Sequence, residues 1–206
     1  MKRFLISNVI IADNNFSMFL ITLKDVVIMK ISKIFVLCIM IIYSMSYGTK
    51  ANYTSEEFQK SLFDVGFKEV NVALQESKDH FKKEIALPIK IPPIEFTHSF
   101  GRLSDLDGDI NDVFEIEYRH IDKPKNHYMI RVYPVKYGLP IWKEHIDQTF
   151  KLRDGSKATY STTAAKGFNL LVFEKSGWQY VLNINKAVSD QVTPEILVEI
   201  ANSVNP

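Results

Sequence analysis

Gly167-Phe-Asn-Leu-Leu-Val-Phe-Glu-Lys-Ser-Gly-Trp-Gln-Tyr-Val-Leu-Asn-Ile-Asn185 decides the fold. Two runs rich in aromatic and β-branched residues, Gly167–Lys175 and Trp178–Asn185, flank the dipeptide Ser176-Gly177. Such runs form strands, and a small-residue pair containing Gly closes them into a tight hairpin. Moving toward the N-terminus, Thr149–Leu152 and Lys157–Thr162 flank Asp154-Gly155, a second hairpin signal. Tyr128–Val135 reads as a strand, and so does Val113–Ile121. In the latter, Val113, Glu115, Glu117 and Arg119 alternate with Phe114, Ile116 and Tyr118. Asp122-Lys-Pro-Lys-Asn126 turns the chain between them, and Ile94–Leu103 supplies a further strand. Gly138-Leu-Pro140 opens a looser segment that runs through Gln148.

Helices bound this run of strands on both sides. Thr54-Ser-Glu-Glu57 is a capping box, with Phe58, Leu62 and Phe63 as an apolar stripe behind it. A second helix is expected from about Lys68 to Glu84. Leu87-Pro-Ile-Lys-Ile-Pro-Pro-Ile94 then forces an extended crossing, because proline neither donates to a helix nor lets the residue before it stay helical. At the other end, Thr193-Pro194-Glu195 starts a last helix through Ala201. The expectation is an α+β domain over residues 52–206: one antiparallel meandering sheet of about seven strands, with two N-terminal helices and one C-terminal helix packed on one of its faces.

The formal net charge is +1, which gives no electrostatic case for nucleic acid. The charge is unevenly distributed. The first 51 residues hold six lysines and arginines against Asp13 and Asp25, so the remainder is about −3. From Met29, Lys30 and Lys33 precede the apolar run Ile34–Met45, and Ser46-Tyr-Gly-Thr-Lys-Ala51 follows. That is the order of a secretory signal peptide over residues 29–51, cut after Ala51 or after Gly48. Residues 1–28 then read as an upstream extension. The rival reading is an uncleaved membrane anchor, which would bury Lys24, Asp25, Lys30 and Lys33 at a cost. Cys38, the one cysteine, lies inside the apolar run, so the body would carry neither a disulfide nor a thiolate metal ligand.

Few residues carry a chemical signal. Asp105, Asp107, Asp109 and Asp112 alternate around Gly108. Calcium takes six to eight oxygens, so this loop is a candidate weak calcium site, although its glycine stands too early for an EF-hand. The competing reading is a solvated turn. No two of the five histidines have a zinc-helix spacing, and none is assigned to a metal. Glu115 and Glu117 share one face of a strand and read as a solvent face. Ser and Thr crowd Thr159–Thr163, but no Gly-x-Ser-x-Gly elbow exposes a nucleophile. Trp178 and Tyr180 stand on one strand face, where they either fill the core or form a ligand or partner platform.

The segments Phe150-Lys-Leu-Arg-Asp-Gly-Ser-Lys-Ala158, Phe173–Asn185 and Thr193-Pro-Glu-Ile-Leu-Val-Glu-Ile-Ala-Asn-Ser-Val204 resemble the C-terminal end of a bacterial exported domain of unknown function. That domain occurs in secreted proteins and lipoproteins of Gram-positive spore-formers, and at the outer end of some anti-sigma factors. The resemblance covers roughly the C-terminal half. Leu87–Pro93 replaces the family's usual opening, and the two N-terminal helices are additions. It implies an α+β fold and an extracytoplasmic location, and carries no catalytic residue. The functional expectation is an exported accessory or binding protein. The alternatives are a secreted hydrolase whose site no motif reveals, and a membrane-anchored sensor if the leader is kept.

Overall fold

Seven strands form one antiparallel sheet, in which each strand meets its neighbour through the alternation visible in the sequence. In this computed structural model the described residues are 53–105 and 108–205. The readings of residues 1–28 and 29–51 therefore lie outside them. Helix α1 is Ser55–Phe63 and α2 is Val70–Phe81. The strands are β1 (His98–Ser104), β2 (Val113–Arg119), β3 (His127–Pro134), β4 (Gln148–Lys151), β5 (Lys157–Ala165), β6 (Phe168–Lys175) and β7 (Trp178–Asn185), followed by α3 (Pro194–Ala201). The expected α+β architecture is present, with two helices before the strands and one after them.

The sheet order is β1-β2-β3-β7-β6-β5-β4. Two meanders, β1–β3 and β4–β7, are thus joined by pairing β3 with the last strand, from Tyr128 opposite Ile184 to Pro134 opposite Trp178. The β6–β7 turn matches the sequence signal. Ser176 and Gly177 both have positive φ, 50° and 75°, the signature of a type I′ hairpin whose twist suits the flanking strands.

One face of the sheet carries the main core. Phe114, Ile116, Tyr128, Ile130, Val132, Leu171, Phe173, Trp178, Tyr180, Leu182 and Ile184 lie there with α3 residues Leu197 and Ile200. Helix α2 presses on β1 at Gly101, where a Cβ would stand 2.7 Å from the Ala73 Cβ and 3.1 Å from the Val70 Cα. Only glycine permits that approach. Helix α2 ends at Phe81, short of the expected Glu84, because Lys82 adopts the left-handed conformation at φ 54°.

The helices do not all share this face, contrary to expectation. Phe58 and Phe63 of α1 meet the ring of Phe100 at 6.2 and 6.0 Å. Phe100 pairs with Glu117, one register step from Gly101 and Ile116, so its side chain lies on the opposite side of the sheet. The chain turns around the β1 edge, where Lys68 bridges to Gly101, and places α1 and α2 on opposite faces. The described residues from Tyr53 onward form one compact unit. No helix among them is long and apolar enough to cross a membrane.

Candidate functional site

The second face of the sheet is where the molecule departs from ordinary packing. Strand β3 sits mid-sheet and β4 lies at the far edge, with β7, β6 and β5 between them. Every adjacent pair is antiparallel, so β3 and β4 run in the same direction. The connection must therefore return along the sheet as well as cross it, a task usually given to a helix of a dozen or more residues. Here residues 135–147 do it with only two short 3-10 turns, Val135–Tyr137 and Lys143–His145. A single strap is about half as wide as a helix, so it leaves sheet uncovered on both sides.

Three anchors hold the strap. Val135 N–H donates to Gly177 O at one end. In the middle the Gln179 amide reads the Leu139 peptide from both sides: its Oε1 accepts from Leu139 N–H at 2.6 Å and its Nε2 donates to Leu139 O at 3.2 Å. A Cβ at Gly138 would fall 2.7 Å from that amide. At the far end Asp147 Oδ2 accepts from the backbone N–H and the hydroxyl of Thr162. These bonds hold the Asp147 carboxyl below its usual range.

On each side of Leu139–Ile141 lies a cavity of about 470 Å³. The first runs along Thr159, Val172, Glu174, Lys157 and Ile146. The second has Leu170 and Val181 as an apolar floor, with Arg131, Asn183, His145 and Trp142 around it. Trp142 stands 65% exposed, while Trp178 is 2% exposed. Both volumes fall in the range of small-molecule sites, where an apolar lining with a few placed polar groups is the rule.

Beyond the second cavity the same face becomes ionic. Glu115 is buried between two guanidinium groups, Arg102 Nη2 at 2.9 Å and Arg131 Nε at 2.5 Å, which stand opposite it on β1 and β3. Arg102 also lies 4.3 Å above the Phe67 ring. Glu117 is buried beside Arg119, which donates to it, and His127, whose Nε2 approaches at 3.4 Å. Burial alone would push the Glu117 carboxyl up; the His127 and Arg119 contacts outweigh it and bring it down to about 2. Glu115 and Glu117 are therefore not the solvent face expected from sequence, because Arg102 and Arg131 on the neighbouring strands cover the first, and Arg119 on the same strand and His127 on β3 lie over the second.

The candidate platform also moves. Trp178 and Tyr180 are core residues: the indole N–H donates to Glu84 O and the Tyr180 hydroxyl to Ala86 O, both at 2.9 Å. Burial pushes the Tyr180 phenol up to about 12. Neither is accessible to a ligand or partner. The exposed tryptophan is Trp142, in the strap between Gly138 and Gln148.

Of the acidic-loop residues, Asp105 and Asp112 converge on His80, at the end of α2. Asp107 and the Asp109 side chain fall outside the described residues. His120 and His127 do not face each other. His120 Nδ1 accepts from the Asp122 and Lys123 amides, while His127 stacks edge-on with Phe168 at 5.2 Å. The signal that could have found His80 is absent locally, since it lies far along the chain from the aspartates.

No family model, curated protein or solved structure matches this chain.

Proposed function

We propose that this is an exported binding protein without catalysis of its own, which takes a small amphipathic ligand in the cavity beside the strap, under Trp142. The observation that carries the reading is the bare crossover with its flanking grooves. A chain that needed only to return to β4 would gain more burial from a helix than from a strap. The second groove offers an apolar floor at Leu170 and Val181 and an aromatic wall at Trp142, with the Arg131 guanidinium and the His145 imidazole as its polar groups. That combination fits a planar or apolar body with an acidic head. The leader pattern from Lys30 to Ala51 supports export, and if the leader is kept the same groove would serve a membrane-anchored sensor. The mass of the chain recovered from its host decides between them, since a cut protein starts near Asn52.

The groove is tested with 8-anilinonaphthalene sulfonate, an aromatic anion of this class, titrated into the native protein. Saturable binding with energy transfer from tryptophan is expected, and Trp142→Ala should abolish both. Binding that survives Trp142→Ala, or none at all, removes the reading.

One observation favours a hydrolase as the second reading. The Thr163 hydroxyl lies 3.0 Å from His145 Nδ1 at the rim of the same groove, a nucleophile–base contact. No described side chain orients the other ring nitrogen, so the pair lacks the third member that such chemistry uses. Ester hydrolysis abolished by Thr163→Ala would move the hydrolase to first place.

A further inference from the structure

We propose that the corner where α2 ends and β1 passes into β2 binds a divalent transition metal of the zinc class, through His80, Asp105 and Asp112. The site is separate from the strap grooves, and its test is independent of theirs. Three elements distant in sequence bring these groups together. Helix α2 lies along β1 through the Ala73–Gly101 contact, which carries its last turn to the β1–β2 connection. Asp105 immediately follows β1 and Asp112 immediately precedes β2. One ligand atom from each lies within 4.8 Å of the others.

The geometry is that of a cluster arranged around the imidazole. His80 Nε2 is 2.7 Å from Asp112 Oδ2, and Nδ1 is 3.8 Å from Asp105 Oδ2. Two ligands of a tetrahedral ion, each about 2.1 Å from it, stand roughly 3.4 Å apart. Closing the set around one ion requires the two exposed groups, His80 and Asp105, to turn toward the buried Asp112, which is 3% exposed. The imidazole decides the metal class. Calcium and magnesium prefer oxygen alone, whereas imidazole with carboxylates suits zinc, nickel, cobalt or manganese. The calcium expectation for this loop used only its aspartates; His80 turns the preference. The last turn of α2 adds the negative end of its dipole, which favours a cation there. Three protein ligands leave the remaining positions to water.

The experiment uses the full chain, melted with zinc chloride and, in parallel, with calcium chloride. It is then loaded with cobalt(II) and read by its visible d–d absorption. Zinc should raise the melting temperature more than calcium, and one equivalent of cobalt should give the bands of an imidazole–carboxylate site. His80→Ala and Asp105→Asn replace exposed groups and should fold. Each should weaken cobalt binding by more than about tenfold, the least that even an outer-shell partner costs. His145→Ala should leave it unchanged. The proposal is overturned if calcium alone stabilises, if neither ion shifts the melt, or if His80→Ala binds cobalt as the parent does.

Discussion

The two faces of this sheet bury similar strands by different means. The face under α2 and α3 is apolar and interlocked: Phe173 and Tyr180 stack at 5.0 Å, Phe81 meets Trp178 at 5.2 Å, and each buried indole or phenol on β7 finds a backbone carbonyl. The other face has a small apolar island at Tyr133, Leu170, Val172 and Val181, a strap laid across it, and an ionic ladder beside it. The first face is built to exclude every other molecule. On the second, cover is partial and held by few hydrogen bonds, which is where a binding surface can be maintained without endangering the fold.

The sharpest way to break this contrast is to truncate one tryptophan on each side. Trp178→Ala opens the core and removes the bond to Glu84, and should cost about 3–5 kcal/mol in denaturant unfolding. Trp142→Ala, on the exposed strap, should stay within about 0.5 kcal/mol. Equal losses would mean that the strap is as integral as the core.

Next in size is the acid response of the ionic ladder. Glu117 titrates near 2 in the folded protein and has an ordinary value of 4.5. Its folded value is depressed, so its contribution is fully present above the ordinary value and is lost as pH falls toward the depressed one. The whole effect amounts to no more than about 3 kcal/mol. Urea midpoints followed from neutrality down through that window should fall more steeply for the parent than for Glu117→Gln. Parallel curves would show that the ladder does not hold the carboxylate as described.

The smallest effect sharpens the comparison within the second face. Gln179→Ala removes both bonds to the Leu139 peptide while leaving β7 paired. Hydrogen exchange across residues 139–147 should accelerate by about tenfold, with roughly 1 kcal/mol lost globally. The amides of β7 should be unaffected. Acceleration in β7 as well would make strap and sheet one cooperative unit.

What the sequence disclosed follows from the range of each signal. Asp154-Gly155 and Ser176-Gly177 marked hairpins because turn chemistry is confined to adjacent residues. The partner of β3 was not legible, since Tyr128 and Ile184 meet across a long stretch of chain and alternation names a face without naming a neighbour. The same limit explains Glu115 and Glu117: period two shows that they share a side, and says nothing of whether Arg102, Arg131 and Arg119 fold over it. The strand pattern left open whether Trp178 fills the core or forms a platform, for a related reason. Trp178 sits in an obvious strand and Trp142 in a segment without periodicity, and exposure is decided by tertiary packing that neither pattern records. The convergence of His80 with Asp105 and Asp112 is likewise a product of α2 docking on β1.

The pairing of β3 with β7 also sets an order of events in synthesis. As the chain emerges from its N-terminus, the meander β1–β3 can form early, but Tyr128–Pro134 has no partner on its outer side until Trp178–Asn185 has left the ribosome. During that interval it presents a row of unpaired amides and carbonyls, flanked by Ile130 and Val132, to any other chain nearby. A chain cut anywhere before Trp178 keeps that edge permanently. Truncated or stalled products of this protein are therefore the species that chaperones must hold and that quality control must remove.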